Sequence, residues 1–324
     1  MKNILLYNSG GGLGDSIQLF PLILSLKNHF KDTDFYYLGA HENHYLGKLK
    51  NYNVRIKTLE LNLKYFGFRW WHYLVTKEKF KTIGIKEFDL IIDLQSKIRN
   101  TIILKKIPHK SFYSSSLRFH FCSKKENFIF FSDIVKMTIE NISILIGKKI
   151  KLIKYDIKDI PKIFMEESVS LLPKTNYIGL SVTQGNFYRK KSWSINNFIQ
   201  LAKKIIEIGK IPVFFIEQKN FLLINKIKKE IPDAQFPEEK TKIADPVLVT
   251  ALGSRLEKAI SIDNGVMHML GLTNTPMILL FGPTNSKKFS PKNKNIDILD
   301  SKLLFNSKDI NKISVNEVFK LLIK

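Results

Sequence analysis

The sequence predicts an α/β protein built from two doubly wound, mostly parallel sheets. Three observations support this. Short apolar runs alternate with helical repeats through most of the chain, the pattern that βαβ crossover units produce. The alternation breaks off near residue 155 and restarts near residue 177, which separates two runs of strand and helix. The length of 324 residues leaves enough chain for each run to bury its own core.

The first run opens with Asn3–Asn8, a short apolar strand, followed by the glycine turn Gly10-Gly11-Gly12-Leu13-Gly14. Asp15–Phe30 reads as one helix with Ile17, Phe20, Leu24 and Leu26 on a broad apolar face, kinked at Pro21 because proline has no amide hydrogen to donate. Phe35–Leu38 and Val54–Leu59 are strand candidates. Leu90–Leu94 is nearly continuous in apolar residues, as a strand covered on both faces should be. Ile134–Ile146 closes the run as a helix with Gly147 as its stop. Tyr155 to Met165, containing Pro161, reads as a linker, giving domains over 1–160 and 161–324.

The second run repeats the pattern. Tyr177–Val182 is a strand, Ser194–Ile208 a helix stopped at Gly209, and Ile211–Ile216 a strand. Leu222–Lys229 and Pro246–Leu252 are helices, Ala259–Ile262 a strand, Gly265–Leu272 a short helix and Met277–Phe281 a strand. Val315–Ile323 reads as a terminal helix. Ligands of such sheets sit beyond the carboxyl ends of the strands, so the expected site is the cleft between the domains.

Composition narrows the class. With 44% hydrophobic and 25% charged residues the chain is globular rather than disordered or fibrous. The apolar Ile4-Leu5-Leu6-Tyr7 is too short for a signal-peptide core, and no stretch of about 18 uninterrupted apolar residues occurs, so a cytosolic location is expected. Cys122 is the single cysteine, which excludes an internal disulfide and any multi-cysteine zinc site. The net charge of +23 favours anionic partners: nucleic acid, nucleotide phosphates, a phosphorylated glycolipid or an anionic membrane face. Lysine is abundant even on plain helix surfaces such as Lys226-Ile227-Lys228-Lys229, so charge alone does not choose among them.

Three segments carry chemistry. Asn8-Ser9-Gly10-Gly11-Gly12-Leu13-Gly14-Asp15 joins a strand to a helix, and glycines there permit a tight turn and close approach of a ligand. It fits neither the dinucleotide G-x-G-x-x-G nor a P-loop, since Asp15 stands where the third glycine should be and no Gly-Lys-Ser/Thr follows. What remains is the Asp15 carboxylate, either facing the cleft or capping the helix. Arg189-Lys190-Lys191-Ser192-Trp193-Ser194 follows a strand of the second half, where three cations can neutralise a pyrophosphate and the charge on a leaving nucleotide, or form a solvated loop. Ile260-Ser261-Ile262-Asp263-Asn264-Gly265-Val266-Met267-His268 takes a buried strand straight into a helix whose first N–H groups favour a phosphate. His268, taken alone, reads as a packed histidine more readily than as a catalyst.

In order along the chain, Gly14-Asp15 with Pro21, Asp89-Leu90-Ile91-Ile92-Asp93-Leu94-Gln95, Lys191-x-Trp193, Asp263-x-Gly265-x-x-His268 and Phe281-Gly282-Pro283-Thr284 resemble the family 9 glycosyltransferases, the ADP-heptose:lipopolysaccharide heptosyltransferases and their relatives. The resemblance covers nearly the whole chain and is strongest from Tyr177 to Thr284. It implies a GT-B fold of two facing Rossmann-like domains, with the acceptor on the first and the donor held mainly by the second. By position, Asp15 matches the proposed general base and Lys191 the cation at the donor phosphates, with Arg189 and Lys190 beside it. Asp263, Asn264, Gly265, Val266 and His268 form the donor-binding turn, and Gly12, Gly14 and Thr183 complete the candidate donor contacts. The loop before Asp15 is unusually rich in glycine, Asn264 stands where Ser or Thr is usual, and Ser194 where Pro is usual. Ile216-Glu217-Gln218-Lys219-Asn220 does not reproduce the family's glycine-and-glutamate nucleoside site, for which Glu217 is the substitute.

Other signals are weaker. Asp32-Thr33-Asp34 spells the metal-binding D-x-D of the other large glycosyltransferase fold but reads as turn chemistry, and His41-Glu42-Asn43-His44 has no standard zinc spacing. Tyr65-Phe66-Gly67-Phe68-Arg69-Trp70-Trp71-His72-Tyr73 suits a membrane interface or a lipid-linked acceptor, although a helix packed into the first domain is the favoured reading. Within the basic and aromatic stretch from Lys105 to Phe131, Lys106, Lys110 and Arg118 are candidates for acceptor phosphates.

The expectation is therefore an inverting transfer without metal or cofactor, from a nucleotide sugar, ADP-heptose being favoured, to a lipopolysaccharide-core or related anionic glycan or glycolipid. Peripheral contact with the cytoplasmic membrane face fits this reading, and nucleic acid is not an expected partner because no nucleic-acid-binding signature is present. The rivals are a nucleotide-sugar epimerase of the same fold, a nucleic-acid-binding protein, and a catalytically silent relative.

Overall fold

The computed structural model describes residues 1–185, 187–292 and 295–324. The chain divides after Tyr155 into two compact units, Met1–Tyr155 and Asp156–Lys324. The first contains β1 (Asn3–Asn8), α1 (Leu13–Gln18), α2 (Phe20–His29), β2 (Asp34–Gly39), β3 (Lys57–Thr58), α3 (His72–Lys81), β4 (Phe88–Asp93), α4 (Ile98–Leu104), β5 (His109–Ser114) and α5 (Ile134–Ile146). Its strands lie in the order β3-β2-β1-β4-β5 and every pair is parallel. From β1 the chain moves outward through β2 to β3, then returns to place β4 on the other side of β1. The loops after β1 and β4 therefore separate two oppositely running crossovers, the switch point at which doubly wound sheets bind ligands.

Sequence explains this order. Ile4, Leu5, Leu6 and Tyr7 of β1 and Leu90, Ile91 and Ile92 of β4 are fully buried, as central strands covered on both faces must be. β5 and β3 are the edges, and their mixed polar sequences give no clear apolar signal. Val54, Ile56 and Leu59 are buried, yet only Lys57–Thr58 pairs with β2, so the expected six-residue strand shrinks to two residues. The expected single helix from Asp15 is two helices. With no amide hydrogen on Pro21, the Ile17 carbonyl lacks its helical donor four residues on; the Leu19 N–H instead turns back toward Ile17 O and Ser16 O, the latter at 3.2 Å, and α2 restarts with Pro21 in its first turn. α1 also begins at Leu13, so Asp15 lies inside its first turn rather than ahead of it.

The Asp89–Gln95 segment is structural at both ends. At the amino end of β4, Lys110 and the N–H groups of Lys2 and Asn3 hold the Asp89 carboxyl down to about 2. At the carboxyl end, buried Asp93 accepts from Thr101 Oγ1 at 2.6 Å, Ser114 Oγ at 2.8 Å and the Gln95 N–H at 2.9 Å. Burial pushes the Asp93 carboxyl up to about 6 against those hydrogen bonds.

The second unit contains α6 (Lys162–Leu171), β6 (Tyr177–Ser181), α7 (Ile195–Glu207), β7 (Ile211–Phe215), α8 (Phe221–Glu230), α9 (Pro237–Lys240), α10 (Pro246–Gly253), β8 (Leu256–Ile262), α11 (Gly265–Leu270), β9 (Met277–Phe281), α12 (Ser286–Phe289), β10 (Ile296–Asp300), α13 (Ser301–Phe305) and α14 (Val315–Leu322). The order is β10-β9-β8-β6-β7, again parallel throughout, with the switch point between β6 and β8. α7 and α14 pack on one face through a core containing Trp193, Phe198, Ile205, Val318 and Leu322. Much of the expected linker is folded, since Pro161 leads directly into α6. β10 had no sequence signal: it is an edge strand whose Asp297 is exposed, while its last residue, Asp300, is buried, accepts from Ser286 Oγ at 2.6 Å and caps α13. Among the described residues, no helix is long and apolar enough to cross a membrane.

Candidate active site

The loops at the switch point of the second unit hold most of the expected donor residues. Asp263 directly follows β8 and is buried; Lys191, at the end of the loop after β6, places its Nζ in an ion pair with Asp263 Oδ2. The Lys191 N–H donates to Gln184 Oε1 at 2.8 Å, so backbone and side chain of the lysine are both fixed. Trp193 anchors the far end of the loop. It is buried, packs edge-on against Phe198 and donates its indole N–H to Ile313 O at 2.9 Å. The tryptophan beside the cations is thus a fastening for the loop. Arg189 and Lys190 are exposed, and Lys190 takes a left-handed φ of 46°.

Asn264 joins the two loops. Its amide donates to Ser181 Oγ and to Thr183 O, both at 2.7 Å, while its Oδ1 accepts the Met267 N–H at 2.8 Å and caps α11. Gly265 and Val266 form the start of α11, where N–H groups have no intrahelical acceptor. His268 is buried within the same helix. Asn264→Ala removes the cap and leaves the bridged oxygens without a donor. A loss of about 1–3 kcal/mol is expected, read as a lower Tm in calorimetry, and Asn264→Ser should recover the cap portion alone.

Glu217 lies past β7, exposed and paired with Lys219. Sequence reading missed its neighbour Glu238 on α9, whose carboxyl is pushed up to about 7 by burial and by the charge of Glu217. Thr284, after β9, has a buried hydroxyl without a hydrogen-bond partner among the described residues.

In the first unit Asp15 lies at the other switch point, in the loop and first turn after β1. It is half-buried and accepts the Gly12 N–H at 3.3 Å, so the capping reading is present in the structure. Among the described residues no cation forms a salt bridge with it, in contrast to Asp263. Glycine is needed at position 11 because a Cβ there would meet His41 Cδ2 at 2.1 Å. The room above Gly11 is filled by that imidazole, and His44 Nε2 donates to Gly11 O at 3.1 Å. Both histidines of His41-Glu42-Asn43-His44 therefore serve the glycine loop. Gly14 is buried in α1. Burial pushes the Tyr37 and Tyr45 phenols up, the Asp15 charge adding to the effect, so both stay neutral hydroxyls. Across the switch point, Gln95 Nε2 donates to Asn8 Oδ1 at 2.8 Å.

The three candidate acceptor cations are not gathered together. Lys110 sits at the amino end of β5, held by Asp89 at 2.7 Å and Glu87 at 3.6 Å, at the edge of the sheet away from the switch-point loops. Lys106 follows α4 with its Nζ 4.0 Å from the centre of the Tyr73 ring. Arg118 is exposed beyond β5, in a turn where Leu117, Arg118 and Phe119 all have positive φ. A cleft of about 590 Å³ beside the carboxyl ends of β2 and β3 is lined by His41, Glu42, Glu60, Asn62, Lys64 and Tyr65 among others. Asp34 of Asp32-Thr33-Asp34 begins β2 and pairs with Lys57 of β3 at 2.8 Å.

Two parallel Rossmann-like sheets in one chain, each with its polar loops at the switch point, define a GT-B type protein. The chain belongs to glycosyltransferase family 9 (heptosyltransferase), whose family model matches residues 77–318, and is a glycosyltransferase. It is similar to the family 9 glycosyl transferase of Veillonella parvula at 18% identity and TM-score 0.69, over 98% of this chain and 95% of that one. It is also similar to E. coli heptosyltransferase WaaC with ADP at 13% identity and TM-score 0.68, covering 99% and 98% of the two chains. UDP-GlcNAc 2-epimerase of Methanocaldococcus jannaschii shares the fold at 14% identity and TM-score 0.55, over 98% and 93%. No curated protein sequence matches the chain.

Proposed function

We propose that the chain is an inverting, metal-independent transferase that moves heptose from ADP-heptose to a lipopolysaccharide-core or related anionic glycan on the cytoplasmic side of the membrane. The observation carrying this reading is the Lys191–Asp263 pair beside the start of α11 at the switch point of the second unit. The second unit takes the donor and the first takes the acceptor. The acceptor hydroxyl oxygen attacks the anomeric carbon on the face opposite the leaving group, and its proton passes to the Asp15 carboxylate. The bond from the anomeric carbon to the phosphate oxygen breaks, and its electron pair leaves with the nucleoside diphosphate. Lys191, with Arg189 and Lys190, and the first N–H groups of α11 offset the charge that develops there. Asp263 keeps the Lys191 ammonium aimed at that position. WaaC, similar in fold over nearly its whole length, holds ADP, which supports the choice of nucleotide.

The test is a transfer assay with ADP-heptose and heptose-free lipopolysaccharide core. Product is expected only when both substrates are present; conversion of the nucleotide sugar alone would indicate an epimerase. Because lysine and arginine supply the positive charge at the leaving group, transfer should persist in excess EDTA. Activity lost to EDTA and restored only by a divalent cation would reject the metal-independent step.

A further inference from the structure

The structure leaves an apolar patch uncovered on the first unit, and we propose that it docks the protein on an anionic lipid bilayer. Trp70, Trp71, Tyr73 and Leu74 lie at the start of α3 and are 61%, 52%, 37% and 76% exposed. Together with Ile102 of α4 they line one shallow surface whose exposed atoms are almost all apolar. Single exposed apolar side chains are ordinary, but two adjacent indoles, a phenol and a leucine on one face form a contiguous patch of the kind that marks a binding surface. Tryptophan and tyrosine are also the side chains that settle at the boundary between headgroups and acyl chains.

The backbone beneath the patch is fixed. Tyr7 donates its hydroxyl to Phe66 O at 2.9 Å, Arg99 donates Nε to Gly67 O at 3.0 Å, and the Gly67 N–H donates to His72 Nδ1 at 3.1 Å. Gly67 has a φ of 85°, and a Cβ there would meet the Tyr7 hydroxyl at 2.4 Å, so the turn is held against the core. His72 is buried and stacks on Phe66; its Nδ1 accepts, so its proton is on Nε2. Burial, with the charges of Arg69 and Arg99, keeps this imidazole neutral. The indoles are thus carried outward on a rigid base.

The rim identifies the partner. Lys64, Arg69, Lys77, Lys79 and Lys81 share the segment 64–81 with one acid, Glu78, which is already paired with Lys81 at 2.9 Å. Lys97, Arg99, Lys105 and Lys106 surround α4 with no acid among residues 97–106. Lys97 and Arg99 lie against Phe68, and Lys106 lies against Tyr73. An apolar centre within a cationic rim complements anionic headgroups above acyl chains. A second copy of the chain fits poorly, since a self-complementary contact would oppose lysines with lysines.

The chain has three tryptophans, and Trp193 is buried, so a change in intrinsic fluorescence on vesicle binding reports on Trp70 and Trp71. Vesicles of phosphatidylethanolamine and phosphatidylglycerol should shift the emission to shorter wavelength and co-sediment the protein, with binding weakened by salt. Phosphatidylcholine vesicles should do neither. The double variant Trp70→Ser/Trp71→Ser should keep its Tm and lose about tenfold or more in vesicle partitioning, and Lys77→Gln should lose several-fold. Equal binding to both vesicle types, no binding to the anionic vesicles, or unchanged partitioning of a folded double variant would overturn the proposal. So would a wild-type dimer in solution that the double variant turns into a monomer while neither binds vesicles. None of these readouts uses sugar transfer, so the outcome is separate from that of the proposed reaction.

Discussion

Asp15→Asn is expected to lower turnover by about a hundred- to ten-thousand-fold while the protein stays folded and still binds donor. The geometry makes this substitution a clean one. Asp15 contributes one long hydrogen bond to its helix, from the Gly12 N–H, and an amide oxygen can accept the same bond. No salt bridge to Asp15 exists among the described residues, so none is broken. What an amide lacks is a lone pair able to take a proton from an attacking hydroxyl. Donor affinity should persist because the substitution leaves the backbone of Gly12 and Gly14 in place and the other proposed donor contacts lie in the second unit. Donor titration by calorimetry and a transfer assay on the same purified variant separate the two roles. Near wild-type transfer by a folded variant would remove Asp15 as the base and leave it as a cap.

Lys191→Ala is expected to act twice. Its side chain is 14% exposed and that of Asp263 only 7%, so removing the ammonium strands a carboxylate away from water. Breaking a buried pair costs about 3–5 kcal/mol, and the residual exposure of Lys191 places the loss near the lower end. Separately, loss of a charged contact to the donor phosphates should reduce kcat/KM by about ten- to a hundred-fold. The double variant Lys191→Ala/Asp263→Ala divides these effects, because it strands no charge. Its Tm should recover toward wild type while transfer stays low. If the double variant regains transfer along with Tm, Lys191 acts on stability alone.

What the sequence made legible follows from burial. β1, β4, β6 and β9 are central or nearly so, and their apolar runs announced them. Three of the four edges, β3, β5 and β10, carry lysine, aspartate and serine at positions a core strand would fill with valine or leucine; the fourth, β7, is apolar and was legible, its outer side bridged by Gln235. Ile134–Ile146 was readable at its end because glycine stops it in a left-handed conformation, and the structure adds an Asp133 cap at its start. At the candidate site, Asp263 and Lys191 were visible through spacing, but their ion pair was not, since 71 residues separate them along the chain. The positions of Lys106 and Lys110 were equally hidden. A basic residue looks the same in sequence whether it faces a ligand, a phenol ring or a carboxylate across a sheet edge. Glu238 was missed because Pro-Glu-Glu reads as solvent-facing, and only the fold half-buries it beside Glu217.

Both switch points are stitched by a carboxamide: Gln95 to Asn8 in the first unit, and Asn264 to Ser181 and Thr183 in the second. Carboxamides do not titrate. These two bridges therefore carry no charge, whereas Asp93, which accepts the Gln95 N–H, and the groups proposed for the chemistry, Asp15, Lys191 and Asp263, all have ionisable side chains. The two amide bridges keep their donors and acceptors whatever the charge on the carboxylates and ammonium groups around them.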